Sequence, residues 1–517
     1  MPIFNRIAKH ALLIALLAQG FGCAWSQIGG DEDLPLYQER QIGDQIAREI
    51  FRDPDNLDDP VLVDYVQSLW QPLLKAARLR GDLTPDLDER YNWQLFVARD
   101  PTFNAFATFG GVLAIHSGLI ERTTQRSQVA AVLAHELAHV TQRHLSRQMG
   151  KESRTQPLVL AAMILGAAFI GRSPELANAA IVGGQAASLQ NQINYTRDME
   201  READRIGYEI YTTAQFSPES MVGMFEVMER ASRFNDFGNF PYLRTHPLNS
   251  ERIADISNRV AQTAATPAPM EVDAVAQMMA MRARLLSGKS TDVLTQAAAH
   301  PKSDLFASQP LALRRVALYG AALASHLLKD HAAAMGHLTA LEVLSLPPRL
   351  ADPEVLQLIG LLGLEIESGP DIAAPQRSAQ SRLDAFQLKW GRQPVEHWPR
   401  SSVLLPSLLQ LKTGNPKVIT ESLALWLADH PKDAQAWRVL ARAQDKLGER
   451  AQAIRSVAEA QSAELDHAGA IERMRSAQKL ATETGLSDHE QSIFQSRLRA
   501  FIDLRKRQMD DNKGAKS

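Results

Sequence analysis

Val132-Leu133-Ala134-His135-Glu136-Leu137-Ala138-His139-Val140 is an apolar stretch that contains a His-Glu-x-x-His motif. Histidines four residues apart lie on one face of a helix, so His135 and His139 can bind one zinc ion together. Glu136, next to the first histidine, can then take a proton from a water molecule beside the metal. The motif therefore predicts a helix that carries two metal ligands and a general base.

The limits of this helix determine which other side chains share its ligand face. Ser127 is a plausible N-cap, and the helical pattern continues to about Ser146. In a continuous helix His144, five residues past His139, lies off the ligand face. We therefore expect a structural role for His144.

A third metal ligand must come from elsewhere, because a catalytic zinc usually has three protein ligands and one open position. Glu200 and Asp204 lie four residues apart in a charged helical stretch, so they share a face of that helix. One carboxylate could bind zinc while the other accepts the free ring N–H of a zinc histidine. Glu202 lies on a different face. The alternative is an exposed, charged helix turn paired with neighbouring arginines.

Composition is that of ordinary globular protein with more than one domain. The chain has 517 residues, of which 45% are hydrophobic and 22% charged, and its net charge is −3. This charge balance gives no indication of a nucleic-acid partner. The single cysteine, Cys23, lies near the N-terminus, so the remaining chain must be stabilised by packed cores or by metal.

The N-terminus has the pattern of a secretory signal peptide. Basic residues precede the apolar run 11–18, and Ala24-Trp25-Ser26 fits a cleavage site. We expect residues 1–26 to be removed and the mature chain to lie in the periplasm without a membrane span, because the apolar run is too short to cross a bilayer. A lipidated Cys23 is the weaker alternative, since Gly20 stands where lipoprotein signals have an aliphatic residue.

Helical and strand patterns predict an α+β domain over 27–262. Short strands are expected at Trp93–Ala98 and Val112–Ile115, and helices account for most of the rest. The apolar segment 158–171 is expected to be a packed core helix, with a helix that covers the site as the alternative. A proline-containing linker follows at 263–270.

Beyond the linker an internal period appears in a sequence rich in alanine, leucine and glutamine. Trp437, Leu440 and Gly448 fall at the spacing of a tetratricopeptide helix–turn–helix unit, and a shift of 34 residues finds a related pattern. The predicted units and weaker copies are 270–301, 312–345, 400–433 and 434–467, with a capping helix at 487–508. Residues 271–517 are thus predicted to form an all-α tetratricopeptide-like domain, with an irregular helical bundle as the alternative.

These ordered motifs resemble those of the gluzincin metallopeptidases, the family that holds HtpX and the CAAX prenyl endopeptidase. The resemblance covers roughly residues 36–262 and implies a zincin-like protease fold. The matching motifs, besides His-Glu-x-x-His, are Asn104-Ala105-Phe106-Ala107, Gly110-Gly111, Gly118-Leu119-Ile120, the Glu-x-Glu-Ala-Asp run at 200–204, and His246-Pro247 followed by Arg252. One departure is Phe109, where the family commonly has proline, and it puts the geometry of the adjoining loop in doubt.

The resemblance implies a metal-binding role for several matched residues. His135, His139 and Glu200 would bind one Zn²⁺, Glu136 would be the general base, and Asp204 would hold a zinc histidine from behind.

It also implies residues that act on the substrate. His246 and Arg252 would face the metal and stabilise the oxyanion, although His246 could instead occupy the open metal position and block it. An extended substrate would pair as an added strand along the edge near Val112–Ile115. The residues that would shape this pairing are Asn104, Ala105, Gly110 and Gly111.

With the export signal and the repeats, the resemblance implies a periplasmic zinc endopeptidase. Its clients would be misfolded or stalled outer-membrane beta-barrel proteins, recruited by the helical repeats, and its partners the machinery that assembles them. The alternative is a chaperone or scaffold for that assembly, with a latent protease site.

Overall fold

The computed structural model describes eight segments of the chain: 34–152, 197–233, 239–263, 272–288, 290–346, 352–369, 376–391 and 395–514. The predicted signal peptide, the apolar segment 158–171 and residues 264–270 of the predicted linker lie outside the described residues. Among the residues it does describe, no helix combines the length and the hydropathy needed to cross a membrane.

The described chain forms two compact units. The N-terminal unit takes in the residues up to Leu57 and from Val66 to Glu271, with the tail from Gln508. The helical unit takes in Asp58–Tyr65 and Val272–Arg507. The domain boundaries proposed from the sequence stay predictions.

Helices dominate the described part of the first half of the chain, and three short strands interrupt them there. The elements are α1 Leu36–Arg52, α2 Pro60–Arg80, α3 Pro85–Arg90, β1 Gln94–Ala98, β2 Ala105–Ala107, β3 Val112–His116, α4 Ser117–Glu121, α5 Arg126–Thr141, α6 His144–Glu152, α7 Arg197–Thr213, α8 Pro218–Arg233, α9 Tyr242–Thr245 and α10 Ser250–Thr263. The predicted α+β class, mostly helical with a small sheet, is confirmed.

The sheet has the strand order β1-β3-β2. Strand β1 pairs parallel to β3, with Phe96 opposite Ala114, and β2 pairs antiparallel to β3, with Phe106 opposite the same residue. Every residue of β3 is buried, which accounts for its continuous apolar pattern. The predicted pairing of a substrate along Val112–Ile115 is wrong, because both sides of β3 are already paired. The two edge strands of this sheet are β1 and β2, and the sequence did not predict β2 as a strand.

Helix α5, which carries the motif, is buried on all sides from Gln128 to Thr141. Helix α7 approaches it closely at Gly207, where an added methyl group would lie 3.2 Å from the Cα atom of His135. A larger side chain would push the two backbones apart. Glu200 and Asp204 precede Gly207 by seven and three residues on the same face of α7, so this close approach brings both carboxylates to the motif.

The ends of α5 differ from those expected. The helix begins at Arg126, after Gln125 in extended backbone, so Ser127 is not the N-cap. It ends at Thr141 and does not continue to Ser146. Arg143 then adopts a φ of 52°, a left-handed conformation that few residues other than glycine adopt, and the chain turns sharply before α6 begins.

The remaining elements are helices, apart from two short 3₁₀ turns at His300–Lys302 and Val395–His397. They are α11 Ala274–Ser287, α12 Thr291–Ala299, α13 Asp304–Ser308, α14 Leu311–Leu327, α15 His331–Leu344, α16 Pro353–Ser368, α17 Gln376–Trp390, α18 Arg400–Thr413, α19 Pro416–Asp429, α20 Ala434–Lys446, α21 Arg450–Ala463, α22 His467–Glu483 and α23 Asp488–Gly514. The predicted all-α class of this region is confirmed for the described residues. The α18–α19 pair recurs as α20–α21 with both helix starts displaced by 34 residues, and the assignment of these pairs to tetratricopeptide-type units stays a prediction.

A buried ion cluster lies inside the helical unit. Arg282 has a fully buried side chain, and its Nε and Nη2 atoms donate to the two carboxylate oxygens of Asp59 at 2.8 and 2.6 Å. Nη2 also donates to Glu365 at 2.9 Å, and Nη1 to the Tyr319 hydroxyl at 3.2 Å. Burial opposes the charge on Arg282, but the two carboxylates raise its pKa well above the ordinary value.

We predict that Arg282→Met destabilises the helical unit by roughly 3 kcal/mol or more, because it leaves two largely buried carboxylates without their cation. Urea unfolding followed by circular dichroism measures the effect. The matched control is Arg438→Met, since Arg438 is about half exposed and pairs with Glu464 at the surface. We expect the control to cost less than about 1 kcal/mol. Equal losses in the two variants would contradict the prediction.

Candidate metal centre

Four buried side chains converge beside α5, with ligand atoms all within 4.8 Å of one another: His135, His139, Glu200 and His246. Helix α5 supplies the first two, α7 supplies Glu200, and the residue after α9 supplies His246. The Nε2 atoms of His135 and His139 are 3.0 Å apart. Nδ1 of His246 lies 3.0 Å from Glu200 Oε1 and 3.3 Å from His135 Nε2.

The ring orientation of His135 is set by Asp204. His135 Nδ1 lies 3.1 Å from Asp204 Oδ1, and a carboxylate can only accept, so Nδ1 carries the proton. In the neutral ring Nε2 then has the free electron pair, and it points into the cluster. Asp204 thus lies where the sequence expected it, behind a histidine of the motif.

The ring orientation of His139 is set by His144. Nε2 of His144 lies 3.0 Å from the Glu202 carboxylate, which accepts its proton, so Nδ1 of the neutral His144 ring is an acceptor. His139 Nδ1 lies 2.8 Å from that acceptor and therefore donates to it. Nε2 of His139 is left with a free electron pair directed at His135 and Glu200. Burial lowers the pKa of His144 to about 4, which keeps its ring neutral.

These residues fit a divalent cation by the chemistry of their donor atoms. Two imidazole Nε2 atoms with free electron pairs face each other at 3.0 Å, and Glu200 oxygens lie 3.6 Å from His135 and 3.4 Å from His139. Facing acceptors repel unless a cation or a proton lies between them. Imidazole nitrogens with one carboxylate oxygen are the ligand set that zinc takes in hydrolytic sites.

The electrostatics of the metal-free cluster agree with this reading. Burial opposes protonation of His135, but its bonds to Asp204 and Glu200 raise its pKa to about 10. Burial lowers the pKa of His139 well below the ordinary value. Burial also opposes ionisation of Glu200, yet His246 and Arg252 hold its pKa well below the usual range. The cluster therefore holds an anionic Glu200 carboxylate beside a protonated His135 ring, and a bound cation would displace the Nε2 proton of that ring.

Glu136 is buried beside the cluster, and each of its carboxylate oxygens accepts one hydrogen bond. The Tyr242 hydroxyl donates to Oε1 at 2.9 Å, and the backbone N–H of Ala107 donates to Oε2 at 3.0 Å. Nε2 of His246 lies 3.5 Å from Oε1. The carboxylate is thus fixed between the edge strand β2 and the metal ligands.

His246 is held by stacking as well as by polar contacts. Its ring lies 4.4 Å from that of Tyr242 with an angle of 22° between the planes. Its side chain is 2% exposed. This geometry brings His246 into the cluster itself, and whether it binds the metal or stabilises the oxyanion stays a prediction.

Arg252 lies behind the carboxylates. Its Nε and Nη2 atoms donate to the two oxygens of Asp204 at 2.6 and 2.8 Å, and Nη1 lies 2.7 Å from Glu200 Oε2 and donates to the Pro247 carbonyl at 2.9 Å. Burial opposes ionisation of Asp204, but Arg252 lowers its pKa. With its guanidinium engaged in this way, Arg252 orients the two acids, and its expected role toward an oxyanion stays a prediction.

The four residues expected to shape substrate pairing fall in different places. Ala105 begins the edge strand β2, and the carbonyl of Asn104 accepts from the backbone N–H of His116. Gly110 and Gly111 lie in the buried turn Phe109–Gly111 and adopt left-handed backbone conformations, with φ angles of 68° and 78°. The two glycines therefore build the turn into β3 and do not lie on the edge of the sheet.

Three groups at this site were not identified from the sequence. His144 was assigned a structural role because a continuous helix would have turned it away, whereas the turn at Arg143 brings it to His139. Tyr242 precedes His246 by one helical turn, and that spacing was the available signal. The Ala107 contact is made by the backbone, so no side-chain pattern could have indicated it.

Residues 65–260 match peptidase family M48. The chain is 33% identical over 297 residues to the beta-barrel assembly-enhancing protease of Escherichia coli, which is 56% of this chain and 56% of that protein. It is 28% identical over 435 residues to the protein of the same name from Yersinia pestis, or 82% of this chain and 81% of that one. It is also 28% identical over 198 residues to the mitochondrial metalloendopeptidase OMA1 of Saccharomyces cerevisiae, 37% of this chain and 54% of the relative.

The chain spans about half the length of the curated relatives that it matches at 33% identity or better. The matched segment contains every residue of the buried cluster, together with Glu136, Asp204 and Arg252. In motif, geometry and sequence, residues 65–260 are thus similar to the peptidases of family M48.

Proposed function

We propose that this protein is a zinc-dependent endopeptidase. The observation that carries the proposal is the convergence of His135, His139 and Glu200, whose ligand atoms lie within 4.8 Å of one another, next to the buried carboxylate of Glu136. The match of residues 65–260 to a peptidase family supports the same reading. In this proposal the first three residues bind the metal and Glu136 is the general base.

A zinc ion bound here would supply Lewis acidity, which lowers the pKa of water and polarises a peptide carbonyl. Glu136 would take a proton from the attacking water and later deliver it to the leaving amine. The carboxylate is already oriented for this task by Tyr242 and by the Ala107 backbone. Asp204 would keep His135 in the tautomer that offers Nε2 to the metal.

The edge strand β2 is the proposed docking site for the substrate. Asn104 and Thr108 make the backbone hydrogen bonds toward β3, so the alternate residues Ala105 and Ala107 turn their backbone groups toward the opposite edge. Ala107 N–H on that edge meets Glu136. An extended peptide that adds to this edge would therefore lie beside the general base.

The proposed setting is the periplasm, and the proposed clients are unfolded, misfolded or stalled outer-membrane beta-barrel proteins. The signal-peptide pattern of residues 1–26 and the names of the relatives from Escherichia coli and Yersinia pestis support this setting. The helical unit would recruit clients and the assembly machinery, as tetratricopeptide-type arrays commonly bind partners along their surfaces. In this reading the protein degrades stalled chains and assists assembly.

A second candidate function is a chaperone or scaffold with a latent protease site. The specific observation that favours it is the closed arrangement of the site, in which His246 lies among the metal ligands and Glu136 is bonded at both oxygens. A catalytic zinc needs an open position for substrate. Turnover would then require His246 to leave.

We predict that Glu136→Gln, loaded with zinc, lowers the rate of cleavage of an unfolded protein such as casein by at least about a hundredfold, because it removes the general base. Zinc content should match that of the wild type. The control is Glu226→Gln, an exposed glutamate of α8. Equal cleavage by wild type and Glu136→Gln would refute the catalytic assignment. Loss of cleavage with intact promotion of barrel assembly would support the chaperone function.

We predict that Glu200→Gln lowers the affinity for zinc by more than about a hundredfold, because it removes the charged ligand, whereas changes to side chains that only hydrogen-bond a ligand typically cost ten- to a hundredfold. Competition with a chromogenic chelator measures the affinity, and Glu226→Gln is again the control. An unchanged affinity would assign the carboxylate ligand to another residue, of which Glu202 is the nearest in sequence.

We predict that His246→Ala raises the cleavage rate, because the fourth metal position would become available to substrate and water. Initial rates on casein at saturating zinc measure the effect. A fall of about a hundredfold or more would contradict this prediction and assign His246 to oxyanion stabilisation instead.

A further inference from the structure

His144 connects a metal ligand to a carboxylate near the protein surface. Its ring is fully buried, with Nδ1 at 2.8 Å from His139 Nδ1 and Nε2 at 3.0 Å from Glu202 Oε2. Arg147 Nη1 lies 3.0 Å from the same oxygen of Glu202, whose side chain is 31% exposed. The contacts thus run from His139 through the His144 imidazole to the ion pair of Glu202 and Arg147.

The backbone is shaped to make this contact. Arg143 adopts its left-handed conformation immediately before His144, and such a conformation costs about 1 kcal/mol or more for a residue with a side chain. The Arg143 side chain offsets that cost by donating to the buried carboxylate of Glu39 at 2.9 and 2.6 Å. Without the turn, α5 would continue and carry position 144 away from His139.

We propose that His144 and Glu202 form a relay that holds His139 in its metal-binding tautomer, so that His144 is a positioning residue of the metal site. This inference rests on the proposed metal site. The relay works by hydrogen-bond polarity: Glu202 accepts from His144 Nε2, His144 Nδ1 accepts from His139 Nδ1, and His139 Nε2 is left free for the metal. The relay thus does for His139 what Asp204 does for His135, which is to fix the tautomer of a metal-binding histidine.

The relay differs from the Asp204 contact in one physical respect. Asp204 bonds His135 directly and is buried, with its charge balanced by Arg252. The Glu202 carboxylate acts on His139 through a neutral ring and lies at the edge of solvent. Loss of either half of the relay removes the preference for one tautomer of His139, and a loss of metal affinity of about 10- to 100-fold is expected from such outer contacts.

The test measures zinc affinity of the full-length protein by chelator competition, and melting temperature with and without zinc. His144→Leu removes the acceptor for His139 at similar volume. His144→Asn keeps an acceptor, because the asparagine Oδ1 can take the place of the imidazole Nδ1. Glu202→Ala removes the carboxylate that accepts from His144. Glu209→Ala is its matched control, since Glu209 lies on the same helix, pairs with arginines and is 33% exposed.

We expect His144→Leu and Glu202→Ala to lose about 10- to 100-fold in zinc affinity, with the melting temperature of the zinc-free protein unchanged. His144→Asn and Glu209→Ala should stay within about threefold of the wild type, well inside that range. Wild-type affinity in both His144→Leu and Glu202→Ala would overturn the relay. An equal loss of zinc affinity in His144→Asn and His144→Leu would also overturn the relay, because altered packing would then explain both losses. If His144→Leu does not fold, the zinc affinities of Glu202→Ala and Glu209→Ala are compared with each other, and equal affinities would overturn the relay.

The same assay includes Glu200→Gln to separate the two proposals. Retained zinc binding in Glu200→Gln, or no zinc binding by the wild type, would overturn the proposed metal site and the relay with it. Loss in Glu200→Gln together with wild-type affinity in the relay variants would overturn the relay alone.

Discussion

The N-terminal unit depends on one physical constraint, which is that electron-rich atoms lie close together inside its core. Two imidazole nitrogens and a carboxylate face one another within 3.0 to 3.6 Å, in a place from which water is largely excluded. Such an arrangement is unfavourable in the absence of positive charge. The unit is therefore built to hold a cation, and its folding and its metal binding are coupled.

The surrounding elements can be understood as the means of keeping these atoms in place. The absence of a side chain at Gly207 lets α7 approach α5, and the acids of α7 then reach the motif. Arg252 clamps Asp204 with two hydrogen bonds and contacts Glu200 from the same side. Each ligand is thus fixed by a partner that is itself bonded, which leaves little rotamer freedom to lose when a metal binds.

The residues of the site could be predicted from the sequence because their chemistry depends on the spacing of side chains along a helix. His135 and His139 follow from a four-residue repeat on a helix. Glu200 and Asp204 have the same spacing, and the resemblance to gluzincins joined the two helices. The roles of His246 and Arg252 came from the resemblance alone, and the structure brings both of them to the cluster while leaving their catalytic roles as proposals.

What the sequence did not reveal depends on backbone conformation. The end of α5 is not marked by glycine or proline, because the left-handed residue is Arg143, and the contact of His144 with His139 follows from that turn. Strand β2 has three residues, too few for an alternating pattern to be recognised. The central position of β3 depends on which strands pair with it, and strand pairing is set by contacts between distant residues.

The hydrogen bond from the Ala107 N–H to Glu136 bears on which protein chains the proposed enzyme would leave uncleaved. A peptide must offer an unpaired strand edge to occupy the same edge of β2, whatever its side chains are. A closed barrel has no such edge, since each strand is paired on both sides, whereas a barrel arrested before closure has two. Under the proposed function, completion of folding would by itself end susceptibility, and the distinction between finished and stalled clients would need no recognition of sequence.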